Sequence, residues 1–246
     1  MTSHVPTFIG RGLESQMEIH CFLKDLNPNE ETIQKYYQTV ADWNNQSSGL
    51  PTMKACLLCL VFRDAGPIVV MQSARYFRSD SHDKVLQESA ADAAFFEKAG
   101  FPVIRSKVEA NAHSMDGIPE TDTDAQKYPD LYFEIHIKVV KAGVTVITDA
   151  EIAELLKVSA EMTEYLGTPI PLSWNINKDQ FPEDGAGNQR FLNVRFCGIG
   201  LIEVKRRLAA ITTRINETTS FKVSKTIDEY VWHDTYRAMD KGWIDF

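Results

Sequence analysis

The tripeptide Glu-Ile-His occurs twice in the chain, at residues 18–20 and at residues 134–136. In a β-strand, residues i and i+2 point to the same face, so the glutamate and the histidine of each tripeptide lie side by side. An imidazole beside a carboxylate is a common general acid or base near neutral pH. The two tripeptides are separated by nearly half of the 246 residues. They therefore predict two equivalent acid–base pairs in a duplicated chain.

The residues around the two tripeptides repeat as well. Each strand signal is followed by a helix signal, two further strands, a second helix and a last strand. In the first half Tyr36 and Val40 lie on one helical face, and in the second half Thr148 and Glu151 form a capping-box pattern. The sequence therefore predicts an α+β fold, a tandem duplication of a ferredoxin-like βαββαβ unit whose antiparallel sheets carry helices on one face.

The predicted domain organisation follows from these boundaries. It comprises an N-terminal arm (1–16), ferredoxin-like repeat 1 (17–110), a linker or lid (111–130), ferredoxin-like repeat 2 (131–229) and an aromatic C-terminal tail (230–246).

Strand alternation predicts which side chains share the face that the helices leave open. It predicts two matching quartets: Glu18, His20, Arg75 and Glu109 in the first half, and Glu134, His136, Arg195 and Asp228 in the second. Arg105, Lys107 and Lys138 add positive charge to the same faces. Opposite charges on neighbouring strands also stabilise sheets without any catalytic role, so a duplicated charge ladder is the alternative interpretation.

Histidines and arginines on these faces suit an anionic, phosphorylated or carboxylated, small molecule in a cleft between the two halves. We expect His20 and His136 to form the acid–base pair, with Glu18 and Glu134 as their partners in the catalytic set. The predicted substrate-binding set is Arg75, Arg195, Arg105, Lys107, Lys138, Glu109 and Asp228.

The arrangement resembles that of the 2H phosphoesterases, in which two similar lobes each contribute one histidine to a cleft. The resemblance implies phosphoester hydrolysis as one reaction for this chain. That family carries a hydroxyl residue two positions after each histidine, where this sequence has Phe22 and Lys138. The chain is therefore not identified as a member.

Two alternatives remain open. A glutamate and a histidine on one strand face could ligate a divalent metal ion, although no cofactor is required by the sequence and no metal ligand is assigned. A non-catalytic module could instead use the same faces to bind a protein partner or a ligand.

Composition limits the partners further. The chain has 26 Lys and Arg against 34 Asp and Glu, a net charge of -8, which argues against nucleic-acid binding. No apolar run is long enough to span a membrane, and four cysteines are too few for a disulfide framework. We therefore expect a cytoplasmic protein that binds a small anionic ligand and can form a homodimer.

Overall fold

The computed structural model describes residues 16–47, 49–61, 66–79, 81–113, 117–143, 146–176 and 189–236. Of the predicted N-terminal arm, the structure describes only Gln16. Of the predicted C-terminal tail, it describes residues 230–236.

The elements follow one another in the order β1 α1 β2 β3 α2 β4 α3 β5 α4 β6 β7 α5 β8. The strands are β1 (Gln16–Leu26), β2 (Lys54–Val61), β3 (Ile68–Arg78), β4 (Val103–Asn111), β5 (Tyr132–Val140), β6 (Leu172–Asn175), β7 (Gln189–Cys197) and β8 (Lys222–Asp234). The helices are α1 (Glu30–Gln46), α2 (His82–Lys98), α3 (Asp122–Ala125), α4 (Asp149–Leu166) and α5 (Leu201–Thr218).

The eight strands hydrogen-bond in the order β1-β3-β2-β6-β7-β5-β8-β4, and this order closes on itself as an antiparallel barrel. The predicted fold class is therefore wrong, because the strands do not form two separate sheets. The decisive pairing, which strand alternation does not predict, joins Leu58–Val61 of β2 to Leu172–Asn175 of β6. A four-stranded sheet leaves the N–H and C=O groups of its edge strands unpaired, whereas closure satisfies them.

The chain divides into two compact units. The first contains Met1–Leu57, Val69–Ile118 and Tyr230–Phe246, and the second contains Leu58–Ile68 and Pro119–Glu229. We call them unit 1 and unit 2. The predicted domain boundaries remain predictions.

In unit 1, β1 lies between β3 and β4, and helix α1 is anchored to this sheet. The helix begins after Asn29, whose side chain accepts a hydrogen bond from the N–H of Thr32. Its buried Tyr36 donates a hydrogen bond to the carbonyl of Gln72 (2.6 Å) and accepts one from the N–H of Cys56 (3.2 Å). These bonds fix the strand that carries Gln72 against the helix.

In unit 2, β7 lies between β5 and β6. The predicted capping box at the start of α4 is confirmed, since Thr148 and Glu151 exchange side-chain and backbone hydrogen bonds. The predicted apolar stripe of α5 is buried; it comprises Val204, Leu208, Ile211 and Ile215. No helix in the described part of the chain is long and apolar enough to cross a membrane.

Candidate functional site

The unit 1 cluster forms where β1 pairs with β4. The register places Glu18 opposite Glu109 and His20 opposite Lys107. The Nε2 atom of His20 donates a hydrogen bond to Oε1 of Glu109 at 2.7 Å, and Nζ of Lys107 lies 2.6 Å from Oε2 of the same carboxylate. His20, Lys107 and Glu109 are all buried. The structure thus brings His20, Lys107 and Glu109 together as one ion-pair network, with the carboxylate of Glu18 close to His20 and Glu109.

The second ring nitrogen of His20 is engaged as well. The side-chain Nε2 of Gln72 lies 2.6 Å from Nδ1, and the carbonyl oxygen of Ser73 lies 3.3 Å from it. Burial lowers the pKa of His20, but the charge and hydrogen bond of Glu109, with a smaller contribution from Glu18, outweigh it and raise the pKa above 6.5. Because only 7% of its side chain is exposed, His20 has little room for a ligand.

The alternative prediction of a divalent metal site also concerns this cluster. Glu18, His20 and Glu109 bring three potential ligand atoms within 4.8 Å of one another. Two ligands of one ion, each about 2.0–2.2 Å from it, stand roughly 3.0–3.5 Å apart. The 2.7 Å between His20 and Glu109 is instead a direct hydrogen bond, and Lys107 neutralises the second oxygen. This geometry favours an ion-pair network over a metal site.

Arg75 does not join this cluster, so its predicted place on the open face is wrong. It pairs with Ile19 across the β1–β3 ladder and shares that residue's face. Its Nε donates to Asp92 of α2 at 2.9 Å, and its Nη2 donates to Glu88 at 3.0 Å. Burial raises the pKa of Asp92 to about 6, which the attraction of Arg75 only partly offsets. Arg75 therefore ties α2 to the sheet.

Arg105 is a second buried guanidinium of unit 1. It is bonded in a bidentate manner to Asp234, with Nε 2.9 Å from Oδ1 and Nη2 2.5 Å from Oδ2. The neighbouring Ser106 N–H donates to Thr235, whose own N–H donates back to the Ser106 carbonyl. These contacts hold the end of β8 against β4, which gives Arg105 a structural partner in place of a substrate.

The unit 2 cluster lies on β5, β7 and β8. Glu134 pairs with Arg195 across the β5–β7 ladder, and the guanidinium holds the carboxylate through Nε (3.0 Å) and Nη2 (3.3 Å). The Nε2 atom of His136 lies 3.7 Å from Oε1 of Glu134 and 3.1 Å from Oε2 of Glu229. A quarter of the His136 side chain is exposed. Lys138 follows two residues later on the same face and is half-buried.

Asp228 is not the carboxylate at this site, so its predicted position is wrong. Glu229, the next residue of β8, faces His136. A shift of one residue along a strand moves every side chain to the opposite face. The register of β8 is poorly determined by its sequence because Lys225 interrupts the alternation.

Asn193 is a site residue that the sequence analysis missed. It lies opposite His136 in the β5–β7 ladder, and its Oδ1 lies 2.6 Å from Nδ1 of the ring. Its Nδ2 donates to Oγ of Ser173 (2.8 Å) and to the carbonyl of Pro171 (3.4 Å). The alternation of β7 could have identified it, because Asn193 is two residues before Arg195 and therefore lies on the same face of the strand.

No protein-family profile matches the sequence, and no curated protein sequence is detectably similar. Among solved structures, the chain is similar to a heme-binding protein from Thermus thermophilus (13% identity, 93% of this chain and 95% of that chain, TM-score 0.28). It is also similar to a provisionally assigned chlorite dismutase (9%, 89% and 95%, 0.28) and a dye-decolorizing peroxidase from Bacteroides thetaiotaomicron (9%, 94% and 96%, 0.25). Scores this low assign neither a family nor a function to the chain.

Proposed function

We propose that the chain is a small-molecule enzyme or binding protein whose acid–base group is His136 of unit 2. The observation that carries the proposal is the position of Nε2, which faces the carboxylates of Glu229 and Glu134 at 3.1 and 3.7 Å while the side chain stays partly exposed. An imidazole that accepts a proton at this atom becomes a cation, and the two carboxylates stabilise that cation by Coulomb attraction.

The two equivalent histidines differ in a way that supports this choice. His20 has both ring nitrogens in buried contacts, to Glu109 on one side and to Gln72 on the other. His136 is held on one side by Asn193, and a quarter of its side chain is exposed. A general base must reach the proton of its substrate, so accessibility favours His136. The participation of His20 in the same reaction remains a prediction.

The charge partners at the site bear on the substrate class. Arg195 already neutralises Glu134, and Arg75 and Arg105 are bonded to carboxylates in unit 1. Phosphate recognition by a pair of arginines therefore has little support, and phosphoester hydrolysis is not proposed. Lys138, on the face of His136, is the side chain that we propose to meet a negatively charged group. A small molecule with one carboxylate and an exchangeable proton fits this arrangement best.

The test is a thermal-shift screen of small carboxylated and polar neutral compounds against three proteins: the wild type, His136→Gln and His20→Gln. We expect compounds that raise the melting temperature of the wild type and of His20→Gln but not of His136→Gln, because binding to the folded state alone stabilises it. A compound that stabilises His136→Gln as much as the wild type would place the site elsewhere. A complete lack of stabilising compounds would favour the alternative of a non-catalytic module for a protein partner.

A further inference from the structure

We propose that Asp92, Glu88 and Arg75 form a proton-binding site that sets how firmly helix α2 packs on the sheet of unit 1. The site takes up one proton when the pH falls from neutral to mildly acidic values, and this proton strengthens the packing of α2. The proposal goes beyond the proposed function and uses no residue of the unit 2 cluster.

Asp92 occupies a helix position that is typical of an apolar residue. The buried residues of α2 are Val85, Ser89, Asp92 and Phe96, which follow one another at helical spacing along a single stripe. Asp92 is only 2% exposed. A charged group at such a position costs stability unless a partner neutralises it. Conflicts of this kind between a residue and its local position are typical of functional sites.

The cluster has one carboxylate more than its cation can neutralise. Nε of Arg75 donates to Oδ2 of Asp92 at 2.9 Å, and Nη2 lies 2.8 Å from the same oxygen and 3.0 Å from Oε2 of Glu88. With both carboxylates ionised, the cluster therefore carries one surplus negative charge. The Glu88 side chain is 30% exposed and that of Asp92 is 3% exposed. Water stabilises the charge of Glu88 better, so the proton that cancels the surplus binds to Asp92.

The other groups around Asp92 add no positive charge. The guanidinium of Arg75 is fixed over the rings of Trp43 (4.9 Å) and Phe77 (5.5 Å). The indole of Trp43 on α1 is neutral and hydrogen-bonds the Asp92 carboxylate. The thiol of Cys21 on β1 faces Asp92 as well, and burial raises its pKa to about 12, so it stays neutral. Arg75 is thus the cation of this cluster, and Glu88 shares it.

Proton uptake by Asp92 stabilises the folded state. Burial raises the pKa of Asp92 to about 6, with a further contribution from Glu88, against the opposing effects of Arg75 and Trp43. In an unfolded chain the pKa of an aspartate is about 3.9. The folded state therefore binds a proton in mild acid that the unfolded state does not bind, and stability rises as the pH falls through 6. Because Asp92 is on α2 and Arg75 is on β3, the gain concerns the contact between this helix and the sheet.

The first experiment is a ¹³C NMR titration of the aspartate carboxyl carbons in the full-length protein from pH 4 to pH 8, with Asp92→Asn to identify the Asp92 signal. We expect a midpoint near pH 6 in the wild type and a lower midpoint in Glu88→Gln, which removes the surplus charge. Asp83→Asn is the matched control, since it removes a charge from an exposed position of the same helix and should leave the midpoint nearly unchanged.

The second experiment is urea denaturation of the wild type and of Asp92→Asn, which cannot take up the proton. Between pH 7.5 and pH 5, we expect the ratio of folded to unfolded wild-type protein to rise about tenfold relative to that of Asp92→Asn. Hydrogen exchange at the α2 amides, compared between the same two proteins, should show the same gain in protection.

An Asp92 midpoint below about pH 4.5 would overturn the proposal, and so would a midpoint that Glu88→Gln leaves unchanged. A stability difference from Asp92→Asn that does not vary with pH would overturn the effect on α2. If Asp92→Asn does not fold, the titrations of the wild type and Glu88→Gln still decide the matter, because Glu88 is partly exposed and its replacement leaves the core intact.

Discussion

Oε2 of Glu229 lies 3.1 Å from Nε2 of His136, which makes this buried carboxylate a charge partner of the ring. We expect Glu229→Gln to lower the pH at which the His136 ring loses its proton, because the substitution removes a negative charge next to the cation. The ring can be followed by NMR titration. Asp228→Asn is the matched control, since it removes the same charge from the adjacent residue on the other face of β8. Equal changes in both variants would contradict the assigned register.

Stability should depend on pH through His20. Its pKa is raised in the folded state, so its contribution to the free energy of unfolding is complete below pH 6.5 and is lost as the pH rises through the raised pKa. Denaturation by urea between pH 5.5 and 9 should show the wild type losing its advantage over His20→Gln in the upper part of this range. An advantage that stays constant with pH would show that the His20–Glu109 contact is not proton-linked.

Arg75 should behave as a structural residue. Arg75→Ala leaves the buried carboxylate of Asp92 without its cation, and we expect it to lower the free energy of unfolding by about 3–5 kcal/mol. Arg78→Ala, an exposed position at the end of the same strand, should change it by less than about 0.5 kcal/mol. Urea denaturation measures both. An Arg75→Ala variant of wild-type stability that loses ligand binding would instead support the original assignment to substrate.

Gly200 should not tolerate a side chain. A Cβ atom at this position would lie 2.4 Å from the carbonyl oxygen of Glu120, at the turn that leads into α5. We expect Gly200→Ala to destabilise the protein by about 1–3 kcal/mol or more, because backbone has to move to relieve the clash. Gly66→Ala is the control, since nothing lies within 4 Å of its Cβ position. Thermal melting of the two variants should separate them clearly, and similar melting temperatures would contradict the packing at Gly200.

Local patterns predict the local elements well. The capping box at Thr148 and the apolar stripe of α5 depend on spacing within a single helix, and both are present. The alternation of β1 and β5 likewise puts Glu18 beside His20 and Glu134 beside His136, where the structure has them. These features need no knowledge of distant residues.

Relations between strands are harder to predict. The sequence aligns Arg75 with Arg195, yet Arg75 pairs with Ile19 while Arg195 pairs with Glu134, so the alignment of the third strands is shifted by one residue. A shift of one residue in β8 likewise places Glu229 beside His136, where the sequence predicts Asp228. Alternation has a period of two, so a single misplaced residue reverses the face of a whole strand. Closure through β2 and β6 depends on pairing between distant edges, which no local pattern encodes.

In the proposed function His136, and not His20, meets small molecules from solution. The most direct measurement is the rate at which diethyl pyrocarbonate, an electrophile of low molecular weight, modifies each histidine at pH 7, read by peptide mass spectrometry. We expect His136 to react faster, because its side chain is 25% exposed against 7% for His20, and because Nε2 of His20 is held in a buried hydrogen bond to Glu109. Equal rates, or faster modification of His20, would contradict the account.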